Sequence, residues 1–175
     1  LMTLEAGKPW REAGGDVDEA VDFLEYYGRE MLRLGAPRRM GRVPGEHNLH
    51  FYQPRGVALV VAPWNFPLAI LTGMTAAALV AGDPVIVKPA GPTPVVAAHL
   101  VRILEAAGAP PGTVNFLPSP GAEVGDFLVR HPGVDLIAFT GSMDVGLRII
   151  SQAAQHPARD GVKKVVAEMG GKDAI

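Results

Sequence analysis

Between Val57 and Ala167, short apolar runs rich in β-branched residues alternate with stretches of helical character, and the connections are short. The runs cover residues 57–62, 84–87, 114–117, 136–139 and 164–167. Between them lie 68–81, long, apolar and Ala-rich, then 93–107, 122–130 and 144–154. The second of these has helical spacing at Val95, Val96, Leu100, Ile103 and Leu104. Strands covered on both faces read as continuous apolar runs, and parallel neighbours need a crossover between them. The alternation therefore predicts βαβ units. Right-handed crossovers turn such units into an open α/β fold, a doubly wound, mostly parallel five-stranded sheet. Ligands of these sheets bind beyond the carboxyl ends of the strands, so functional residues are sought there.

Upstream, Asp16 followed by Glu19 has the pattern of a capping box. Apolar Val17, Ala20, Val21, Leu24, Tyr27 and Met31 follow at helical spacing, predicting an amphipathic helix over 17–34 that Gly35 and Pro37 end. Residues 38–56 are mixed, and a turn with one or two extended pieces is expected. Hydrophobic residues make up 48% of the chain and charged ones 19%, with Gly 21 and Pro 16 falling mostly at turns. The net charge of −2 offers nothing to nucleic acid or an anionic membrane. The longest apolar stretch, 67–80, is shorter than the ~20 residues of a membrane span and is broken by Thr72, Gly73 and Thr75. The start lacks a basic region leading into a signal-peptide core, so a cytoplasmic location is expected. There is no cysteine, which excludes disulfides, thiolate metal sites and thiol catalysis within the chain.

Four segments at strand ends carry the chemistry. Pro63-Trp64-Asn65-Phe66-Pro67 follows the first run, and its second proline suits the first turn of a helix. Locally, Asn65 has two readings. It caps the helix while Trp64 fills the core, or its amide donates to a developing oxyanion. Val87-Lys88-Pro89-Ala90 places a cation at a strand end, where it is either solvated or meets a ribose or phosphate. Phe139-Thr140-Gly141-Ser142 with Gly146, like Leu117–Gly121 with Gly125, leads from a strand into a helix whose free N–H groups suit an anion. Neither is a G-x-G-x-x-G fingerprint or a P-loop. Glu168-Met169-Gly170-Gly171-Lys172 ends the last run with a carboxylate that is either a surface charge or a proton acceptor. His47 and His50 are read as surface residues, and Arg38, Arg39 and Arg42 as a solvated patch or subunit contact.

In this order and spacing the four segments resemble the cofactor half of the NAD(P)-dependent aldehyde dehydrogenase family. The resemblance implies that family's variant of the Rossmann sheet, an aldehyde substrate, and NAD as cofactor with NADP left open. It makes Asn65 the oxyanion donor and Glu168 the general base, with Met169 bordering the nicotinamide. Pro63 and Trp64 line the cleft, Lys88 meets the adenosine ribose, and Phe139, Thr140, Gly141 and Ser142 open the helix facing the pyrophosphate. Ala90, Gly91, Gly121, Gly125 and Val145 complete the implied cofactor contacts. Two positions depart from the family pattern. Gly91 stands where many NAD-preferring relatives carry a Glu that grips both ribose hydroxyls and repels a 2′-phosphate. Ser119 stands where many have Gly.

The phrases Gly7-Lys8-Pro9-Trp10, 16–30 and Gly171-Lys172-Asp173-Ala174-Ile175 resemble the 1-pyrroline-5-carboxylate dehydrogenase branch, which oxidises glutamate semialdehyde to glutamate. The family's reaction needs a Cys thiolate, expected beyond Ile175, so the chain is expected to be a fragment that is inactive alone. The resemblance divides it into an N-terminal helix and oligomerisation-type lead-in, 1–56, and an incomplete NAD(P)-binding domain, 57–175. It implies a homo-oligomeric parent. Two rivals stand beside it: a non-catalytic nucleotide-binding module of the same fold, and an acylating or other semialdehyde dehydrogenase that needs no hydrolytic base.

Overall fold

A computed structural model describes residues 1–172. Asp173, Ala174 and Ile175 of the closing phrase lie outside the described residues. Two helices come first, α1 (Met2–Ala6) and α2 (Trp10–Leu34). A short antiparallel pair follows, β1 (Arg38–Arg39) with β2 (Leu49–His50). The alternating part then runs β3 (Ala58–Val61), α3 (Ala69–Val80), β4 (Val85–Lys88), α4 (Pro94–Ala106), β5 (Val114–Phe116), α5 (Gly121–Arg130), β6 (Leu136–Gly141), α6 (Met143–Gln155) and β7 (Lys164–Met169). The sheet order is β5-β4-β3-β6-β7, and each neighbouring pair is parallel. This is the doubly wound five-stranded α/β fold that the alternation predicts.

Successive side chains of β3 point to opposite faces, and both faces are covered. Ala58 and Val60 join Val85 and Val87 of β4 beneath Leu71 of α3 and Leu100 of α4. Leu59 joins Ile137 and Phe139 of β6 beneath Leu128 of α5 and Ile149 of α6. Leu59 and Ile137 are almost fully buried, and a buried Leu or Ile contributes about 1.5–3 kcal/mol. Outside the α3 face lies α2. Gly73 of α3 admits the Phe23 ring so closely that a Cβ there would lie 3.0 Å from it.

The winding reverses between β3 and β6. From β3 the chain builds outward to β4 and β5, then returns through α5 to the other side of β3. Connections that leave two adjacent strands in opposite directions open a crevice at their carboxyl ends.

Three local expectations need correction. The amphipathic helix begins at Trp10, not at residue 17, and Asp16 is no cap. It lies inside α2, 1% exposed, and its Oδ2 accepts from Lys8 Nζ at 2.7 Å. Gly14 and Gly15 are weak helix formers that hide the continuity, and the tertiary contact overrides them. The short helix α1 has no sequence signal that was read. Finally, β6 and β7 each run two residues past their predicted ends, because Thr140 pairs with Glu168 and Gly141 with Met169 in register. Polar residues at the strand tips conceal that extension.

Candidate functional site

Three depressions adjoin one another along the carboxyl edge of the sheet. The one at the switch point has a volume of about 600 Å³. The turn after β3 lines it with Pro63, Trp64, Asn65 and Phe66. The end of β6 and the entry to α6 add Phe139, Thr140, Gly141, Ser142 and Val145. From β7 come Glu168 and Met169, and Ala90 follows β4. Asn65 and Glu168 thus face one groove from two strands that are not neighbours.

Neither structural alternative for the β3 turn survives. Trp64 is 55% exposed and fills no core. Asn65 does not cap α3, because Asp16 Oδ1 accepts the Ala69 N–H at 2.6 Å instead. Lys8 Nζ donates to the Asn65 carbonyl at 2.9 Å and lies 3.7 Å from the centroid of the Phe66 ring. The turn's backbone is tied down while the Asn65 side chain stands exposed at the groove.

Close approach explains two glycines. A Cβ on Gly141 would lie 2.7 Å from the Phe139 ring, and one on Gly146 would lie 2.5 Å from Met169 Sδ. They let the start of α6 settle against the strand tips. No side chain caps α6 at Ser142, so its first-turn N–H groups and positive dipole end are directed to the groove's edge.

The second depression, about 360 Å³, lies between α5 and α6 over β3 and takes in Lys88, Gly121, Gly125 and Val145. Lys88 is not solvated: it is 5% exposed, and its ammonium makes a single long hydrogen bond, 3.4 Å, to the Pro89 carbonyl. Burial pushes its pKa below the ordinary lysine value. At the rim Arg148 donates to Asp126 at 2.6 Å, and that bond holds the Asp126 carboxyl below the usual range. The third depression, about 300 Å³, contains Ala90, Gly91 and Ser119. Gly91 therefore stands apart from Lys88's pocket wall, reaching the cleft from the β4 side.

Sequence reasoning missed Asp126, Arg148 and the Lys8–Asp16 pair. Asp126 and Arg148 meet across two helices and belong to no motif, so no local signal marks them. His47 and His50 are exposed, as read. Among the described residues no group of three His, Cys, Asp or Glu is placed to hold a metal. No described helix is long and apolar enough to cross a membrane.

A buried, poorly matched cation, an uncapped helix start and two obligate glycines along one crevice point to an anionic, hydroxyl-bearing ligand. The sequence profile of the Aldehyde dehydrogenase family matches residues 1–175. The chain belongs to the aldehyde dehydrogenase family. Among members of this family it is similar to the 1-pyrroline-5-carboxylate dehydrogenase of Geobacillus kaustophilus (strain HTA426), with 57% identity over 99% of this chain and 34% of the relative. It is also similar to the crystal structure of 1-pyrroline-5-carboxylate dehydrogenase from Thermus with bound NAD. There the TM-score is 0.93 and the identity 48%, over 98% of this chain and 34% of that one. Proline utilization A from Bdellovibrio bacteriovorus, inactivated by N-propargylglycine, superposes with a TM-score of 0.91 and 51% identity over 94% of this chain and 17% of that one. The chain spans about a third of the length of the curated relatives it matches.

Proposed function

We propose that this chain forms the cofactor cleft of an oxidoreductase that converts glutamate semialdehyde to glutamate in proline breakdown. NAD is the cofactor, with NADP also accommodated. The carrying observation is that Asn65 and Glu168 line the same groove at the switch point. Relatives named 1-pyrroline-5-carboxylate dehydrogenase support the choice of substrate. A nucleotide-binding module without catalysis has no use for an amide and a carboxylate facing one another's groove. An acylating dehydrogenase has no use for the base.

The residues present fit a dinucleotide. Lys88 offers its buried ammonium to ribose hydroxyls, which replace the weak bond to Pro89. The free start of α6 faces the pyrophosphate, as helix N-termini commonly do. Gly141 and Gly146 let the start of α6 lie close on the strand tips at the groove, and Phe139 and Met169 give the nicotinamide an apolar wall. When bound, the dinucleotide supplies the oxidant.

The chain's own residues then have separate tasks. A thiolate from elsewhere in the whole enzyme adds to the aldehyde carbon, and the Asn65 amide donates to the oxygen that gains negative charge. After oxidation, Glu168 takes a proton from the water that attacks the thioester, releasing the acid and the thiolate. Glu168 is exposed, so that water and the accepted proton have a path to solvent. The exposed β1–β2 pair is the segment assigned to self-association in the assembled, cytoplasmic enzyme.

Two variants of the whole enzyme test this reading. Asn65→Ala lowers kcat by about 10²–10³. Glu168→Gln gives one stoichiometric burst of reduced cofactor and then stalls. Steady turnover unchanged in both variants overturns the proposal.

A further inference from the structure

We propose that Lys8 and Asp16 are positioning residues for Asn65, an inference that rests on the oxidoreductase reading above. Lys8 is 6% exposed and Asp16 1% exposed, and both are charged residues from the N-terminal helical segment. The Lys8 ammonium donates to Asp16 Oδ2 at 2.7 Å and to the Asn65 carbonyl at 2.9 Å, and it lies 3.7 Å from the Phe66 ring centroid. Asp16 Oδ1 accepts from the Ala69 N–H at 2.6 Å. The pair therefore grips the turn on both sides of Pro67: the carbonyl of Asn65 before it and the first N–H of α3 after it.

This arrangement is more specific than stability requires. Buried ion pairs are weak stabilisers, and apolar replacements of similar volume often do as well. Each bond the pair makes beyond itself goes to the turn that carries Asn65. No cap side chain of α3 does the same task, since Leu68 at its start offers none. A donor for an oxyanion must be held to within about 0.5 Å of its working position. The bond from Lys8 holds the Asn65 backbone, and so the point from which its side chain reaches into the groove. The N-terminal helices thereby act on the reacting end of the groove without touching the substrate.

The test uses Lys8→Met/Asp16→Asn, which removes both charges together, so neither is left buried alone, and keeps an acceptor for Ala69. In the whole enzyme, kcat falls by about tenfold or more while the KM for NAD changes far less, because Lys88's pocket is untouched. Added to Asn65→Ala, the double change costs nothing further, since residues that act through one another are not additive. A cost that multiplies with Asn65→Ala, or an unchanged kcat, overturns the inference. Nuclear magnetic resonance of the unaltered chain needs no variant. The Lys8 ammonium protons exchange slowly and are shifted upfield by the Phe66 ring. Exchange as fast as that of a solvated lysine overturns the inference independently. The two failures are distinguishable: an Asn65→Ala enzyme with full kcat sinks the reading of the site, whereas a mobile Lys8 sinks only its positioning role.

Discussion

Gly146 and Met169 meet so closely that no methyl group fits between them. A Cβ on Gly146 would lie 2.5 Å from Met169 Sδ, 2.9 Å from its Cγ and 3.2 Å from Phe139 Cε1. The contact falls where α6 lies on the tip of β7, beside the groove. Gly146→Ala sets two effects against each other. Alanine gains about 0.5–1 kcal/mol over glycine inside a helix. Overpacking costs about 1–3 kcal/mol, here near the middle of that range, because the thioether can turn aside but the Phe139 ring beside it cannot. The expected net is a loss of about 1 kcal/mol, seen as a fall in Tm of roughly 2–4 °C. Met169 turns toward the groove, and the Kd for NAD rises by about tenfold, or ~1.4 kcal/mol. A variant that melts and binds like the parent refutes the close-approach account.

Lys88→Met moves stability and binding in opposite directions. Burial lowers the pKa of Lys88 in the folded chain from its ordinary 10.5. Well below the folded value both states are protonated, and the folded state bears the full cost of the buried charge. As pH rises through that value the folded chain releases its proton first. The unfolded chain then binds more protons, and stability rises with pH. At neutral pH the charge is therefore a burden, and Lys88→Met raises Tm there. The gain shrinks as pH approaches 10.5. A lost charge-assisted hydrogen bond to ribose costs about 1.5–3 kcal/mol, so the Kd for NAD rises roughly 10–100-fold. Melting curves at two pH values and a calorimetric titration decide the matter. A variant less stable than the parent at neutral pH sinks the account of Lys88 as an unmatched buried cation.

The strands are legible in the sequence because they are covered on both faces. Ala58, Leu59 and Val60 are all buried, so the run reads as apolar without alternation. The groove residues are legible through the family resemblance, since spacing alone left Asn65 and Glu168 with two readings each; the fold adds only that ligands of such a sheet bind at its strand ends. Asp16 is not legible for a physical reason. With Glu19 three positions on it spells a local cap, and only Lys8 and the Ala69 N–H decide otherwise. The same holds for Glu5, whose carboxylate accepts from the Val95 and Val96 N–H groups and caps α4 from a distant helix. Long-range partners of this kind leave no trace in spacing.

Under the proposed reading, Gly91 is the position that tests the choice between the two nicotinamide cofactors. No atom lies within 4 Å of where its Cβ would be, so Gly91→Glu enters open space without strain. The new carboxylate accepts from the ribose hydroxyls of NAD and repels a 2′-phosphate. Parallel titrations of the parent with NAD and NADP are expected to give Kd values within about tenfold of each other, ~1.4 kcal/mol. In Gly91→Glu the ratio shifts toward NAD by about tenfold or more, mostly through weaker NADP binding. A ratio that does not move places the 2′ position away from residue 91.

Val166 stands exposed on the last strand of the sheet. β7 ends the sheet, so its outer edge has no strand partner among the described residues. Lys164, Val166 and Glu168 are exposed on one face of that strand, while Val165 and Met169 pack toward α6 on the other. Val166 is 54% exposed. An open edge bearing an apolar residue is a template for pairing with another strand, and lysine at such an edge opposes it. Light scattering of the chain is expected to show species larger than a monomer as concentration rises through tens of micromolar. Val166→Lys shifts that onset upward severalfold while leaving the circular dichroism unchanged, since the side chain contributes to neither core. A chain that stays monomeric over that range, or a variant that associates as readily as the parent, rules out the β7 edge as the contact.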